Sequence, residues 1–194
     1  MQDFIKQTSQ NYPKENTRNN LTFGSSNGKI KPKKNTIKLK ETKGEHSREY
    51  DLMKTNHKHN EDDPKYSSNC QKCVCTYEAR RRGFDVTAKP IANENENMAT
   101  LDLNKGFPSV FKGAEIINVS GHTGKKVCEN IEKQMQEWGD GSRAIVAVHW
   151  KTNGRGHVFV AEQINGKTEF VDPQPNELDV KYYFKNIKTS IDLF

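Results

Sequence analysis

The sequence predicts an α+β domain, because two helical patterns come first and a run of strands with short antiparallel connections follows. Residues 70–82 and 123–138 carry apolar side chains at helical spacing. Residues 144–150 then form a nearly continuous apolar run, which is typical of a buried central strand. Asn165-Gly166 separates two further strand-like segments and is a strong signal for a tight β-hairpin.

The composition changes near residue 66 and predicts a tail over 1–65 followed by one domain over 66–194. The tail is rich in asparagine, lysine, serine and threonine, and its apolar residues follow neither a helical nor a strand period. Residues 1–66 hold 14 lysines and arginines against 9 acidic residues, whereas 67–194 hold 17 against 16. We therefore expect a basic tail that is disordered or linker-like.

These patterns also disfavour several classes of protein. The chain has no run of 18 apolar residues for a membrane span, and its N-terminus lacks the apolar centre of a Sec signal peptide. Acidic residues are interleaved with the basic ones in the tail, which disfavours specific nucleic-acid binding. Three of the four cysteines lie within six positions, which does not resemble a disulfide framework and indicates a reducing compartment.

Within the domain, capping signals define the first helix. Ser67, Ser68 and Asn69 are N-cap residues, and Gly83 supplies the C-terminal stop. Apolar side chains at i, i+3, i+4 and i+7 place one face of this helix in the core; they are Cys70, Cys73, Val74 and Tyr77.

The later elements follow from the same kind of signal. Residues 84–87 are expected to be extended, and 157–164 and 167–172 are the two strands of the hairpin. We predict a short helix over 179–187 and a last strand over 190–193. Residues 91–121 have no clear period, and only some of their apolar side chains are expected to pack: Phe107, Val110, Phe111, Ile116 and Ile117.

Three polar residues in these elements could form a catalytic triad. With a two-residue loop at Asn165-Gly166, His157 lies opposite Gln174 and diagonal to Asp172 on the same face of the sheet. Both side chains can then reach the imidazole. A cysteine at the start of a helix has its thiolate stabilised by the helix dipole and free amides, which favours Cys70 over Cys73 as a nucleophile.

The remaining features of the site are less specific. The main-chain amide of Cys70 and the side chain of Asn69 are candidate donors to an oxyanion. Each residue of the triad also has an ordinary structural interpretation, as a core cysteine, a strand histidine or a turn aspartate. Zinc is the rival chemistry for the closely spaced cysteines, but Cys73 and Cys75 diverge on a helix, so we predict no metal and no cofactor.

Four blocks of the chain, at 69–88, 138–146, 156–163 and 170–174, carry a family resemblance. In this order they resemble the papain-fold toxin domains of the glutamine-deamidase type, which occur in bacterial polymorphic toxins and in phage or other mobile-element proteins. The resemblance covers the domain and leaves the tail uncovered. It implies a papain-like cysteine hydrolase fold, with an N-terminal catalytic helix followed by an antiparallel sheet.

The resemblance also implies a reaction and a set of roles. Cys70 would be the nucleophile, His157 the base and Asp172 its orienter, with Asn69 and Gln174 in support. The reaction would be hydrolysis of a protein glutamine side chain through a thioester.

Other interpretations stay open at this point. A cysteine peptidase would use the same groups, and a third alternative is a phage structural or interaction module without turnover. The expected partners are a protein substrate and an immunity or inhibitor protein. We expect synthesis in the bacterial cytoplasm, with delivery to a target cell or association with a virion as further possibilities.

Overall fold

The computed structural model describes residues 3–7, 46–59, 63–91 and 115–189. These ranges contain three α-helices and two short 3₁₀ helices. The α-helices are α1 (Arg48–Thr55), α2 (Cys70–Arg81) and α3 (Gly124–Trp138). The 3₁₀ helices are Pro64–Tyr66 and Val180–Lys185.

Six strands form one antiparallel sheet in the order β2-β1-β3-β4-β5-β6. The strands are β1 (Asp3–Gln7), β2 (Glu115–Asn118), β3 (Arg143–His149), β4 (Gly156–Ile164), β5 (Lys167–Asp172) and β6 (Glu177–Leu178). The structure therefore confirms the predicted α+β class.

Alternating side chains of the sheet build two cores, one on each face. On one face, Ile145, Val158 and Val160 pack with buried residues of α1 and α2. On the other face, Val146 and Phe159 pack with α3 and with the 3₁₀ helix Val180–Lys185. The sheet is thus covered by helices on both sides, and both faces of the central strands are buried.

The β4–β5 hairpin has the register predicted from Asn165-Gly166. Ile164 faces Lys167, and the pairing continues without a slip to Val160 and Val171. Asn165 and Gly166 both adopt positive φ, as a tight hairpin turn requires. This register decides which side chains meet at the far end of the hairpin, where β4 begins and β5 ends.

The prediction of a disordered or linker-like tail over 1–65 is wrong for residues 46–59. Helix α1 lies in that range and packs on α2, with Leu52 at only 2% exposure. Ser47 caps α1, because its side chain accepts a hydrogen bond from the Tyr50 amide. Strand β1 (Asp3–Gln7) also belongs to the predicted tail, and it pairs with β2 and β3. Few apolar residues are needed for these contacts, so the sequence pattern there is weak.

Other expectations have mixed outcomes. The hairpin strands and both long helices are confirmed within one or two residues. The helix predicted over 179–187 is a shorter 3₁₀ helix, and β2 is a strand that the unassigned stretch 91–121 concealed. The remaining predictions lie outside the described residues: Phe107, Val110, Phe111 and the strand at 190–193.

Helix α2 is buried on more sides than its sequence indicates. Its apolar pattern predicts one buried face, yet Glu78 and Arg80 are also at most 4% exposed. Glu78 accepts hydrogen bonds from Arg143 and Arg82 at 2.7 and 2.5 Å, and Arg81 contacts Asp51 and Glu162. These ion pairs, which we call the ionic network, tie α2 to the sheet and to α1. No helix in the described ranges is long and apolar enough to cross a membrane.

Candidate active site

The imidazole of His157 is held by the carboxylate of Asp172. His157 lies at the start of β4 and Asp172 at the end of β5, and His157 Nε2 donates to Asp172 Oδ2 over 2.6 Å. The carboxylate is 1% exposed and is fixed by two further donors. The main-chain amide of Gln174 donates to Oδ1 at 3.0 Å, and the Tyr183 hydroxyl donates to Oδ2 at 2.9 Å.

Cys70 meets the same imidazole from another direction. It is the first residue of α2, it is 4% exposed, and it lies close enough to His157 to raise the pKa of the imidazole. Because Nε2 is engaged by Asp172, Nδ1 is the ring nitrogen left for the thiol. The structure therefore brings together the three residues that the sequence singled out.

These contacts change the protonation of His157. Burial lowers the pKa of the imidazole, but hydrogen bonds to Asp172 and Cys70, together with their negative charge, raise it from 6.5 to about 10. A histidine with a raised pKa is protonated at neutral pH and can stabilise a neighbouring thiolate. The contacts of His157 therefore favour an imidazolium beside Cys70, with the carboxylate of Asp172 behind it.

Aromatic rings enclose the His157 imidazole. Trp150 stacks on it with ring centroids 5.5 Å apart, and Tyr183 meets it edge-on at 6.0 Å. Trp150 and Tyr183 also contact each other at 5.1 Å. The rings shield the His157–Asp172 hydrogen bond from water, and low local polarity strengthens such a bond. Neither aromatic residue was singled out in the sequence.

The other three cysteines differ from Cys70. Burial raises the pKa of Cys73 well above its ordinary value, and the nearby charges of Cys70 and Asp172 raise it further. Burial also raises the pKa of Cys75 and of Cys128 to about 12 in each case. Cys73 is fully buried, consistent with the predicted packing role. These thiols are protonated at neutral pH and lack a histidine partner of the kind that Cys70 has in the described structure.

The two supporting residues lie close to the site but in other roles than expected. Asn69 Nδ2 donates to Asn56 Oδ1 and to the Lys89 carbonyl, so the predicted donation of this amide to an oxyanion has no support. Asn69 occupies the N-cap position without a capping hydrogen bond from its side chain. Gln174 acts through its backbone amide, whereas the imidazole contact belongs to Asp172.

Asn56 is a buried residue near the site that sequence reasoning missed. It is 0% exposed and hydrogen-bonds both Asn69 and the carbonyl of Gln174. Asn56 lies in the predicted tail, where no site residue is expected, and a single asparagine has no sequence pattern that indicates a function. Tyr183 lies in the helix predicted over 179–187, and the sequence carries no signal for its contact to Asp172.

Two further features of the described structure bear on other chemistries. In the described parts of the chain, no group of three or more histidine, cysteine or acidic side chains is arranged to hold a metal ion. A cavity of about 390 Å³ lies beside α1 and β6, with Leu52, Met53 and Leu178 in its walls. Neither Cys70 nor His157 lines this cavity, so it is separate from the candidate active site.

A cysteine at a helix start, an imidazole and a buried carboxylate in this order define a cysteine hydrolase type of site. Over residues 68–176 the chain matches the family model described as papain fold toxin 1, glutamine deamidase, and it belongs to this family. The resemblance seen in the sequence is thereby confirmed. Searches of curated proteins and of solved structures gave no match.

Proposed function

We propose that the protein deamidates glutamine side chains of a protein substrate, with Cys70 as nucleophile, His157 as acid–base and Asp172 as orienter. Membership of the glutamine deamidase family supports the reaction class. One observation carries the assignment of residues: the His157 ring is hydrogen-bonded to Asp172 at 2.6 Å, and Cys70 at the start of α2 lies close enough to raise the pKa of that ring.

The first half-reaction forms a thioester. The Cys70 thiolate attacks the carbonyl carbon of the glutamine side chain, and the C–S bond forms as the carbonyl oxygen becomes an oxyanion. His157, as imidazolium, donates its Nδ1 proton to the amide nitrogen. The C–N bond then breaks and ammonia leaves. The raised pKa of His157 keeps the proton available at neutral pH for this step.

The second half-reaction releases glutamate. Neutral His157 takes a proton from water, and the resulting hydroxide adds to the thioester carbonyl. The tetrahedral species collapses, the C–S bond breaks, and the thiolate pairs again with the imidazolium. Asp172 holds the ring in the tautomer that leaves Nδ1 free to donate and accept the proton in these two steps.

Stabilisation of the oxyanion is assigned to the main chain. The first N–H groups of a helix have no acceptor within the helix, and Cys70 is the first residue of α2. Its own amide is therefore the donor that we propose for the developing negative charge. The side chain of Asn69 is committed to Asn56 and Lys89, which leaves it to fix the helix start.

The test is a survey of protein glutamine in a bacterial extract. The purified protein, the Cys70→Ala variant and a Cys128→Ala control are incubated with the extract, and peptides are compared by mass spectrometry. Conversion of defined glutamines to glutamate by the wild type and by Cys128→Ala, and not by Cys70→Ala, is the expected result. Cys128 is the matched control because it is also a buried cysteine but packs from α3 in the other core.

The other outcomes identify the alternatives. New peptide termini that depend on Cys70 would replace deamidation by proteolysis, because a peptidase uses the same three groups. The absence of any Cys70-dependent change would contradict the enzyme assignment and favour a binding or structural module. An immunity or inhibitor protein, delivery to a target cell and association with a phage stay predictions.

A further inference from the structure

We propose that Asn56 is a positioning residue that holds the Cys70 helix start and the Asp172 turn in fixed relation. This inference rests on the proposed function of the site. Asn56 follows helix α1 and lies outside the segment matched by the family model, which begins at residue 68. The catalytic unit would therefore begin at α1, within the stretch whose composition predicts a tail.

One set of hydrogen bonds connects Asn56 to Asp172 through Gln174. Asn56 Nδ2 donates to the Gln174 carbonyl at 2.7 Å, which is the shortest of its hydrogen bonds. The same residue, Gln174, donates its amide to Asp172 Oδ1 at 3.0 Å. Asn176 strengthens this side, because its Nδ2 donates to the Asn56 carbonyl at 3.0 Å. A shift of Asn56 would thus move the turn that orients the carboxylate.

A second set of hydrogen bonds connects Asn56 to the start of the Cys70 helix through Asn69. Asn56 Oδ1 accepts a hydrogen bond from Asn69 Nδ2 at 3.2 Å, and Asn69 directly precedes the nucleophile. Asn69 is held in turn by α2, because its Oδ1 accepts from the Cys73 thiol and its carbonyl accepts from the Cys73 amide. Both sets of hydrogen bonds therefore meet at the side chain of Asn56.

The chemistry of an amide is needed at this position. Asn56 donates to Gln174 and to the Tyr66 carbonyl with its two N–H groups, and it accepts from Asn69 with its oxygen. An aspartate cannot donate and would place its charge against two carbonyl oxygens in a fully buried site. An apolar residue would leave the Gln174 carbonyl and the Asn69 amide short of partners.

The backbone of Asn56 is itself anchored. The preceding residue, Thr55, donates its hydroxyl to the Asp51 carbonyl at 2.8 Å and accepts the Ala88 amide at 2.7 Å. These hydrogen bonds hold the backbone next to Asn56 in place, so its side chain contacts both segments from a fixed position. A positioning residue needs such an anchored backbone, whereas a residue that only fills space does not.

The experiment measures the reactivity of Cys70, which needs no substrate. Wild type, Asn56→Asp and Asn56→Ala are treated with iodoacetamide across a range of pH, and alkylation of each cysteine is followed by mass spectrometry. Asn165→Asp makes the same chemical change at the exposed hairpin turn and is the matched control. The pKa of the His157 imidazole is measured on the same proteins by NMR.

We expect both Asn56 variants to slow alkylation of Cys70 near neutral pH by about tenfold, and deamidation by on the order of 10²-fold. The pKa of His157 should fall from about 10, while Asn165→Asp matches the wild type. Protection of Cys73 and Cys75 from alkylation reports that each variant is folded. A folded Asn56 variant with unchanged Cys70 reactivity and His157 pKa would overturn the inference.

Two remaining outcomes are also informative. If neither Asn56 variant folds, Asn56 contributes to stability and the positioning role is rejected. If the Asn56 effect on Cys70 reactivity is found but the wild type deamidates nothing, the inference stands and the proposed reaction fails. The two claims can therefore fail separately.

Discussion

Strand β4 carries two buried polar clusters, on opposite faces and near opposite ends. His157 at its start hydrogen-bonds one carboxylate, lies beside the Cys70 thiol and contacts three aromatic rings. Glu162, near its end, belongs to the ionic network, where it contacts Arg81 and lies close to Arg143. The carboxylates of both clusters are buried, but the clusters are built from different groups and have different consequences.

The difference lies in which groups can change charge. In the ionic network the cations are arginines, which stay charged, and the ion pairs with Arg143 and Arg82 lower the pKa of Glu78 despite its burial. In the candidate active site, the hydrogen bond to Asp172 and the proximity of Cys70 make the imidazole a stronger base. A buried cluster whose cations are arginines holds a fold together, whereas one whose cation is a histidine can also perform acid–base chemistry.

The largest expected effect comes from Asp172→Asn. An amide lacks the charge that stabilises imidazolium and allows the wrong tautomer of His157, so we expect deamidation to fall on the order of 10⁴-fold. The free energy of unfolding should change less, because the shape of the side chain is kept. Rates on an identified substrate, with circular dichroism as the folding check, test this. Activity within tenfold of the wild type would remove Asp172 from the triad.

The pH dependence of stability should distinguish the two clusters. Because the folded-state pKa of His157 is raised above its unfolded value, its contribution is complete below about pH 6.5 and is lost as the pH rises to about 10. The loss would be on the order of 4 kcal/mol. Urea unfolding from pH 6 to 10 measures it, with His157→Gln as the reference. Parallel curves for the two proteins would contradict the raised pKa.

A change in the ionic network should reduce stability and spare the chemistry. Glu78→Gln leaves Arg143 and Arg82 without their shared carboxylate, and we expect it to cost about 3 kcal/mol in the free energy of unfolding. Cys70 alkylation in the folded protein should be unchanged. If Glu78→Gln instead slowed alkylation without affecting unfolding, the proposed separation of the two clusters would be wrong.

The smallest expected effect is that of Tyr183→Phe. The substitution keeps the ring that packs on His157 and removes only the hydrogen bond to Asp172. A bond of this kind to a carboxylate is worth about 1.5 kcal/mol, so we expect a rate loss of about tenfold. Tyr182→Phe is the matched control, because Tyr182 is exposed and contacts Glu177 instead. Equal losses in the two variants would refute the role of Tyr183.

Local signals in the sequence were sufficient for much of the fold and the central residues of the site. The hairpin turn at Asn165-Gly166 set the register, and the register places His157 next to Asp172. The capping residues and Gly83 marked the ends of α2, which put Cys70 at a helix start. Each of these inferences depends on residues that are close neighbours in the chain.

Long-range contacts account for what the sequence did not reveal. Asn56 and Gln174 are 118 positions apart, and no periodic pattern connects them. Helix α1 buries only Asp51, Leu52 and Thr55, so its short apolar contribution is lost in a polar background. Tyr183 donates to Asp172 from a 3₁₀ helix whose placement depends on the packing of α3.

The central claim is that Cys70, His157 and Asp172 form one acid–base unit, and the pH dependence of cysteine alkylation tests it most directly. In the wild type, Cys70 should react with iodoacetamide faster than the other three cysteines at neutral pH, because it lies beside the imidazolium of His157. Cys73, Cys75 and Cys128 should stay unreactive there, and His157→Gln should abolish the reaction of Cys70. Equal reactivity of Cys70 and Cys73, or a Cys70 rate unaffected by His157→Gln, would contradict the account.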